Sequence, residues 1–520
     1  MKQPCDEAAM RSGGEGLCSQ RSRSWVLAAT ILGSSMAFID GTVVNVALPA
    51  LQSSLNATVV DAQWVVESYG LCLSALILAA GALGDSVGRR LMFVLGTALF
   101  AASSIGCGLS ASILWLVTFR CLQGIGAAAM VPSSLAIISA SFDEKSRGQA
   151  IGTWAGFTAI TTAVGPVLGG WLIEHASWRW AFFINVPMAA AVIVISLRHV
   201  PESRNPAARK IDWLGVLVAT ASLVGLVLGF IESSTKGWAD PLVMGSLVVG
   251  FGSLILFVSV ERRAAAPIVP LTLFESRSFS GANLLTLLLY AAIGTFFFVF
   301  PLNLIQIQGY SATATGAAAL PTILLMFSLS RWSGGLVARY GAEAPLVVGP
   351  VIAAAGFVLF ALPSVDANYW STFFPAFVVL GLGMAVSVAP LTTVVMNSVE
   401  RDRAGTASGI NNTVARVAGV LAIAILGVVM LKAFATRLEH SMAALNLPPG
   451  TLQQIQSSLA KLGALKVPAN LDSKAAAALQ AAIAGAFVFG FRVIMMVCAT
   501  LALASAGVAW RMIPSAGKKT

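Results

Sequence analysis

The side chains best placed to do chemistry in this sequence are ionisable groups set inside apolar runs. Asp40 lies in Phe38-Ile39-Asp40-Gly41-Thr42-Val43-Val44-Asn45-Val46-Ala47-Leu48-Pro49, within a stretch long enough to cross a bilayer. On insertion scales a carboxylate at that depth costs at least about 2.5–3.5 kcal/mol. A residue kept at that cost binds a cation, moves a proton or pairs with a buried base. Glu67 and Arg120 occupy two further apolar runs. At 1.5 Å per helical residue, Asp40 stands ~21 Å from Val26, and Glu67 stands ~26 Å from Gly84 on the returning run. The two acids therefore share a level, and Arg120 falls in the same half of its own run. Two acids and an arginine at one depth can share protons through coupled titration. Arg416 and Arg492 each fall near the middle of a later run. Either they snorkel, pair with carbonyls and stabilise the fold, or they favour an anionic or polar ligand. Asn45, Asn303, Gln306 and Gln308 are candidates to line a polar path. The run Phe296-Phe297-Phe298 with Phe300 reads as packing in preference to an aromatic cage.

The elements that must position these groups are membrane helices. The chain is 57% hydrophobic and 10% charged, against about 25% charged in a soluble domain. So much apolar surface cannot be hidden in a water-soluble fold, and the chain reads as an all-α polytopic membrane protein. A helical span needs about 20 apolar residues. Such runs fall near 25–50, 62–84, 91–110, 112–141, 148–173, 179–199, 212–232, 241–260, 279–305, 315–338, 345–363, 371–396, 404–430 and 482–510, fourteen in all. An even number puts both termini on one side. One set of connections carries Arg89, Arg90, Lys145, Arg147, Arg198, Arg204, Arg209, Lys210, Arg262, Arg263, Arg277, Arg339, Arg401 and Arg403, and both tails are basic. The opposite set holds little beyond Lys236 and Arg179. The positive-inside rule then makes both termini cytoplasmic. The net charge of +10 is spent in these clusters and gives no nucleic-acid footprint. Arg21 and Arg23 before an apolar run could mimic a signal peptide, but the run continues to Pro49 and thirteen more follow, so it reads as an uncleaved first span.

Cys5, Cys18, Cys72, Cys107, Cys121 and Cys498 have neither metal spacing nor a disulfide framework. No nucleotide-binding loop or nucleophile constellation stands out, which argues against enzymatic activity and against ATP drive within the chain.

Two segments recur at nearly one offset. Gly81 to Gly88 after the second run is echoed by Gly334 to Gly341 after the tenth. Glu144, Arg147 and Gly152 are echoed by Glu400, Arg403 and Gly409. The offset is two runs longer than six helices need. The organisation expected is therefore a disordered cytoplasmic tail (1–24), a six-helix half (25–200), two inserted helices with linkers (201–277), a second six-helix half (278–510) with an external connection at 431–481, and a short tail (511–520). Residues Leu452 to Leu462 in that connection suit a short surface helix. A duplicated architecture places its ligand site between the halves near the midplane.

Gly81-Ala82-Leu83-Gly84-Asp85-Ser86-Val87-Gly88-Arg89-Arg90 permits a tight reversal through its glycines, and Asp85 could face its own arginines or a helix N-terminus. The segment resembles the cytoplasmic loop motif of the major facilitator superfamily, which implies a latch that governs switching. Ala338 stands where the second copy would need an acid, so the latch is expected to be asymmetric. Arg120-Cys121-Leu122-Gln123-Gly124-Ile125-Gly126 resembles the superfamily's fourth-helix arginine motif, linked there to proton transfer, although a structural ion pair would also account for it. Gly165-Pro166-Val167-Leu168-Gly169-Gly170 lets helices approach closely; it also resembles the fifth-helix motif of the superfamily's exporters. Glu67 resembles the second-helix acid of related exporters. With the Asp40 segment, Trp178-Arg179-Trp180-Ala181-Phe182-Phe183-Ile184-Asn185-Val186-Pro187 and fourteen spans, the chain resembles the EmrB/QacA-type drug:proton antiporter family over nearly all of its length after residue 24.

That resemblance implies export of small amphipathic compounds across the cytoplasmic (inner) membrane, driven by the proton gradient without a cofactor. It implies Asp40, Glu67 and Arg120 as coupling or substrate residues. It implies Gly81, Asp85, Gly88, Arg89, Arg90, Gly165, Pro166, Gly169 and Gly170 as the conformational switch. A transporter dedicated to one metabolite or antibiotic, and a transport-dead sensor, are the competing readings. Expected partners are substrate, protons and lipid, with a periplasmic adaptor and outer-membrane channel as in some relatives, and no nucleic acid.

Overall fold

The computed structural model describes residues 20–142, 144–204, 212–400 and 404–514, apart from 444, 446, 457, 469 and 470. Most of the expected tails, 1–19 and 515–520, lie outside the described residues, as do Arg209, Lys210, Arg401 and Arg403. Among the described residues every regular element is helical. Lipid offers no partner to a backbone N–H or C=O, so an apolar segment must close its hydrogen bonds within itself.

The order is α1 (Gln20–Leu55), α2 (Val59–Val87), α3 (Arg89–Leu109), α4 (Ile113–Ser141), α5 (Glu144–His175), α6 (Trp180–Phe183), α7 (Asn185–His199), α8 (Trp213–Lys236) and α9 (Pro241–Arg263). There follow α10 (Arg277–Leu302), α11 (Ala312–Ala318), α12 (Leu320–Gly334), α13 (Leu336–Tyr340), α14 (Glu343–Phe360), α15 (Phe374–Asn397), α16 (Ala404–Met442), α17 (Pro449–Gln456) and α18 (Ser473–Met512). Among the described residues, 13 helical stretches are long and apolar enough to cross a membrane. Helix α5, 32 residues long, adds the fourteenth of spanning length. The fold is the all-α polytopic one that the fourteen apolar runs predict.

Element boundaries differ where helix propensity outlasts apolarity. Helix α16 continues through the charged segment Lys432 to His440, and α18 begins at Ser473, capped by the Asp472 carboxylate accepting from Ala475 N at 2.6 Å. The connection expected at 431–481 therefore contracts to 443–472. It holds α17 and a 3-10 turn, Leu459–Ala464, in place of one helix over 452–462. The run expected at 315–338 is three pieces, α11 to α13. Pro321 has no N–H to donate and so sits at the start of a new helix, α12.

Two compact units divide the chain. One comprises the chain through Ala47, Trp64–Val224 and Val249–Pro270; the other comprises Leu48–Gln63, Gly225–Val248 and the chain from Leu271 onward. In the first unit α3 meets α4 backbone to backbone. A Cβ on Gly96 would lie 2.8 Å from Gly126 O, and one on Gly126 would lie 2.7 Å from Phe100 N. Close approach of this kind replaces the hydrophobic drive that lipid does not supply. The second unit is centred on Phe296, Phe300, Phe357, Phe360, Phe373 and Phe377, all buried. Their ring centroids lie 4.7 Å (Phe296–Phe360) to 6.0 Å (Phe300–Phe373) apart. This aromatic cluster is closed packing, with no room for a ligand among the rings.

Candidate functional site

The centre of the first unit is a buried ion pair between Asp40 on α1 and Arg120 on α4. Their side chains are 0% and 1% exposed. Asp40 Oδ2 accepts from Arg120 Nη1. Asp40 Oδ1 accepts from Gln123 Nε2 at 2.9 Å and from Asn185 Nδ2 at 3.3 Å. Gln123 stands one turn beyond Arg120 on α4, so both reach the same carboxylate from one face. Asn185 is the first residue of α7, just past the interruption at Ile184 that separates it from α6. Ser104 on α3 ties these amides together: its Oγ accepts from Gln123 Nε2 at 3.1 Å and Asn185 Nδ2 at 3.0 Å, and donates to Phe182 O at 3.0 Å.

The guanidinium is held through Nε, Nη1 and its face. Arg120 Nε donates to Val65 O on α2 at 2.9 Å, and Nη1 also donates to Gln123 Oε1 at 2.8 Å. The ring of Tyr69 lies 4.2 Å from the guanidinium carbon, and Tyr69 OH donates to Ala37 O at 3.2 Å. Gly124 makes this approach possible, since a Cβ there would lie 2.5 Å from Tyr69 O. A buried pair is stable only when its spare lone pairs and protons are satisfied, and here Val65 O, Gln123, Asn185 and the cation–π contact with Tyr69 do that.

Helix α5 crosses α1 beside Asp40. A Cβ on Gly165 would meet Thr42 Oγ1 at 2.5 Å, and one on Gly169 would meet Val43 Cγ1 at 2.5 Å. Pro166 and Gly170, their neighbours on α5, are also buried. These small residues thus set the spacing of the turn that carries the carboxylate.

Glu67 shares the depth of Asp40 but not its partners. It is 1% exposed, and neither carboxylate oxygen has a hydrogen-bond partner among the described residues. An unpaired charge so placed is costly, so the group needs a proton or a cation. The structure thus brings together Asp40 and Arg120 of the expected trio and leaves Glu67 apart. Two residues separate Glu67 from both Val65 and Tyr69, about 200° around a 3.6-residue helix, so it points away from the guanidinium they serve.

At the α2–α3 turn, Arg89 Nε donates to Asp85 Oδ1 at 2.8 Å. The sequence allowed Asp85 to face a helix N-terminus, but that place belongs to Glu202, in the segment after α7. Glu202 accepts from Arg90 N and Leu91 N, each at 3.1 Å, and lies 3.9 Å from Arg90 Nε. Arg90 Nη1 donates to Val200 O at 3.1 Å. Gly88 has a φ of +141°, and a Cβ there would lie 2.8 Å from the Glu202 carboxylate, so only glycine fits. Gly81 packs on the Pro132 side chain. In the echoing turn, Gly341 again has positive φ, +78°; the side chain of Ala338 lies outside the described residues.

The remaining candidates are dispersed. Asn45 donates to Gly41 O at 3.3 Å, within its own helix. Asn303 is buried in a π-turn, Asn303–Ile307, following Pro301. Gln306 Nε2 donates to Gln52 Oε1 at 2.8 Å. Arg492 Nη2 donates to Pro363 O at 3.1 Å, beyond the end of α14, which is the carbonyl pairing that a stabilising arginine makes. Arg416 is half-buried on α16. Sequence reasoning missed Ser104, Tyr69, Gln123, Asn185 and Glu202. The i, i+3 spacing of Arg120 and Gln123 was the available signal for one of them.

The chain matches the family model described as Major Facilitator Superfamily over residues 30–423. It belongs to that superfamily. The Tetracenomycin C resistance and export protein of Streptomyces glaucescens is 34% identical over 495 residues, covering 94% of this chain and 91% of the relative. Multidrug resistance protein Stp of Mycobacterium tuberculosis (strain ATCC 25618 / H37Rv) is 36% identical over 425 residues, covering 81% and 78%. Among solved structures, a bacterial homologue of the human lysosomal transporter Spinster, in an inward-facing and unoccupied conformation, aligns with a TM-score of 0.64 at 16% identity, over 96% of this chain and 99% of that one. The POT family transporter PepTSo aligns with a TM-score of 0.61 at 14% identity, over 95% and 99%. At such identity these likenesses establish the fold alone.

Proposed function

We propose that this superfamily member is a proton-coupled antiporter that exports small amphipathic compounds, conferring resistance to drugs or toxins. The observation that carries the reading is the pair of buried acids in contrasting states. Asp40 is fully paired with Arg120 and two amides, whereas Glu67 is buried with no donor among the described residues. A carboxylate poised between a buried arginine and a proton can exchange one for the other as water reaches it. A second carboxyl without a partner is ready to take a proton or a substrate cation. Each proton moving inward across 100 mV supplies ~2.3 kcal/mol. The relatives named for resistance and export support the direction.

In this reading the protein lies in the cytoplasmic membrane with both termini inside, has no enzymatic activity, uses no cofactor or nucleic acid, and binds substrate, protons and lipid. A periplasmic adaptor with an outer-membrane channel would complete the path in a two-membrane cell. A second reading, export of one dedicated antibiotic, draws on the relative named for tetracenomycin C alone. A susceptibility panel in an efflux-deficient host separates the two. Raised tolerance to several unrelated amphipathic compounds supports the broad reading, tolerance to one supports the dedicated exporter, and no change with protein in the membrane overturns both.

A further inference from the structure

Asp212 and Glu261 stand at the paired ends of α8 and α9, far along the chain from the Asp40 cluster. Asp212 directly precedes α8, and its Oδ1 accepts from Gly215 N at 2.9 Å. Glu261 lies in the last turn of α9 and is 3% exposed. Its Oε2 accepts from Val269 N at 3.1 Å, in the segment that leads towards α10. Each carboxylate is thus fixed through one oxygen. The other two oxygens, Asp212 Oδ2 and Glu261 Oε1, are buried and have no hydrogen-bond partner. They edge a single gap: a Cβ on Gly215 would lie 2.7 Å from the first and 2.8 Å from the second. Glycine keeps that gap open. Arg262 and Arg263, next in sequence, are exposed, and among the described residues no lysine or arginine pairs with either carboxylate.

Two fixed carboxylate oxygens facing one gap repel unless a positive guest lies between them. The donors are two carboxylate oxygens, hard ligands unlike the thiolates and imidazoles of the soft-metal sets. Two carboxylates are the protein contribution that Mg²⁺ commonly receives, the rest of its octahedron being hydration. We propose that Asp212 and Glu261 hold a hydrated divalent cation of the Mg²⁺ class, which clamps the start of α8, the end of α9 and the Val269 segment together. This site is separate from the coupling centre and does not depend on the direction of transport.

The test uses the full chain in nanodiscs of zwitterionic lipid, with Mn²⁺ as a paramagnetic probe of binding. The expected result is one saturable Mn²⁺ per chain, displaced by Mg²⁺, with affinity reduced at least tenfold in the double variant Asp212→Asn/Glu261→Gln. Gly215→Ala, which fills the gap while keeping both carboxylates, should weaken binding likewise. The proposal is overturned if the wild-type chain retains no saturable Mn²⁺, as a proton shared between the carboxyls would give, or if the variants bind as the wild type does.

Discussion

Asp40 has both oxygens engaged, by Arg120, Gln123 and Asn185. Removing its charge leaves Arg120 buried without a counter-ion, which costs about 3–5 kcal/mol. Asp40→Asn should therefore lower the thermal midpoint as well as stop coupled transport, and Arg120→Gln should do the same. Among the described residues Glu67 has no donor to lose. Glu67→Gln should leave thermal unfolding unchanged or slightly raised, while transport of cationic substrates falls at least tenfold. A parallel loss of stability and transport in Glu67→Gln would make that residue structural. Charge in an apolar run is conspicuous, so Asp40, Glu67 and Arg120 were legible from sequence. Depth was legible too, by counting residues along a helix. Rotation about the axis was not, because it depends on which neighbour each face meets. That is why Glu67 looked like a member of the trio while Val65 and Tyr69, which hold Arg120, did not. Gln123 and Asn185 stood inside motifs without a role of their own, and Ser104 escaped notice, because uncharged polar residues in membrane helices are common and pair locally.

Contacts between elements set the position of those side chains. Helix α5 presses Gly165 and Gly169 against Thr42 and Val43, flanking the Asp40 turn. Gly169→Val adds branched bulk where a single Cβ already meets Val43, and overpacking of this kind costs about 1–3 kcal/mol. The measured outcome should be reduced transport with a shifted pH profile, since the carboxylate moves with its turn; Gly156→Ala, on the same helix where an added Cβ would meet nothing within 4 Å, should be milder. At the α2–α3 turn the Asp85–Arg89 pair is partly exposed, and pairs of this i, i+4 kind contribute about 0.3–0.5 kcal/mol. Glu202 satisfies two otherwise orphaned helix N–H groups, a role worth ~1 kcal/mol on removal. Thermal unfolding of Glu202→Ala should therefore fall further than that of Asp85→Asn; the reverse order would return the latch to Asp85. The glycines of this turn could be read from sequence as a reversal. Glu202 could not be found there, because its partner lies more than a hundred positions away and backbone N–H groups carry no sequence signature.

At the scale of the whole molecule, the spans were the most legible feature, because lipid forces every apolar run of sufficient length into a helix. The exceptions have local causes: Pro321 divides the tenth run, and polar helix formers carry α16 and α18 beyond the bilayer length. Orientation rests on the Lys/Arg asymmetry. With native cysteines removed, an impermeant thiol reagent should label Gln456→Cys in intact cells and label Pro514→Cys only after the membrane is opened; the opposite pattern would invert the topology. The account turns on Asp40 as the proton-coupled group, and accumulation of a transported compound by proteoliposomes under an imposed pH gradient tests that most directly. The wild-type protein should concentrate the compound against its gradient, and Asp40→Asn, present at equal abundance and still able to bind it, should concentrate none. Accumulation by Asp40→Asn at the wild-type rate would contradict the account.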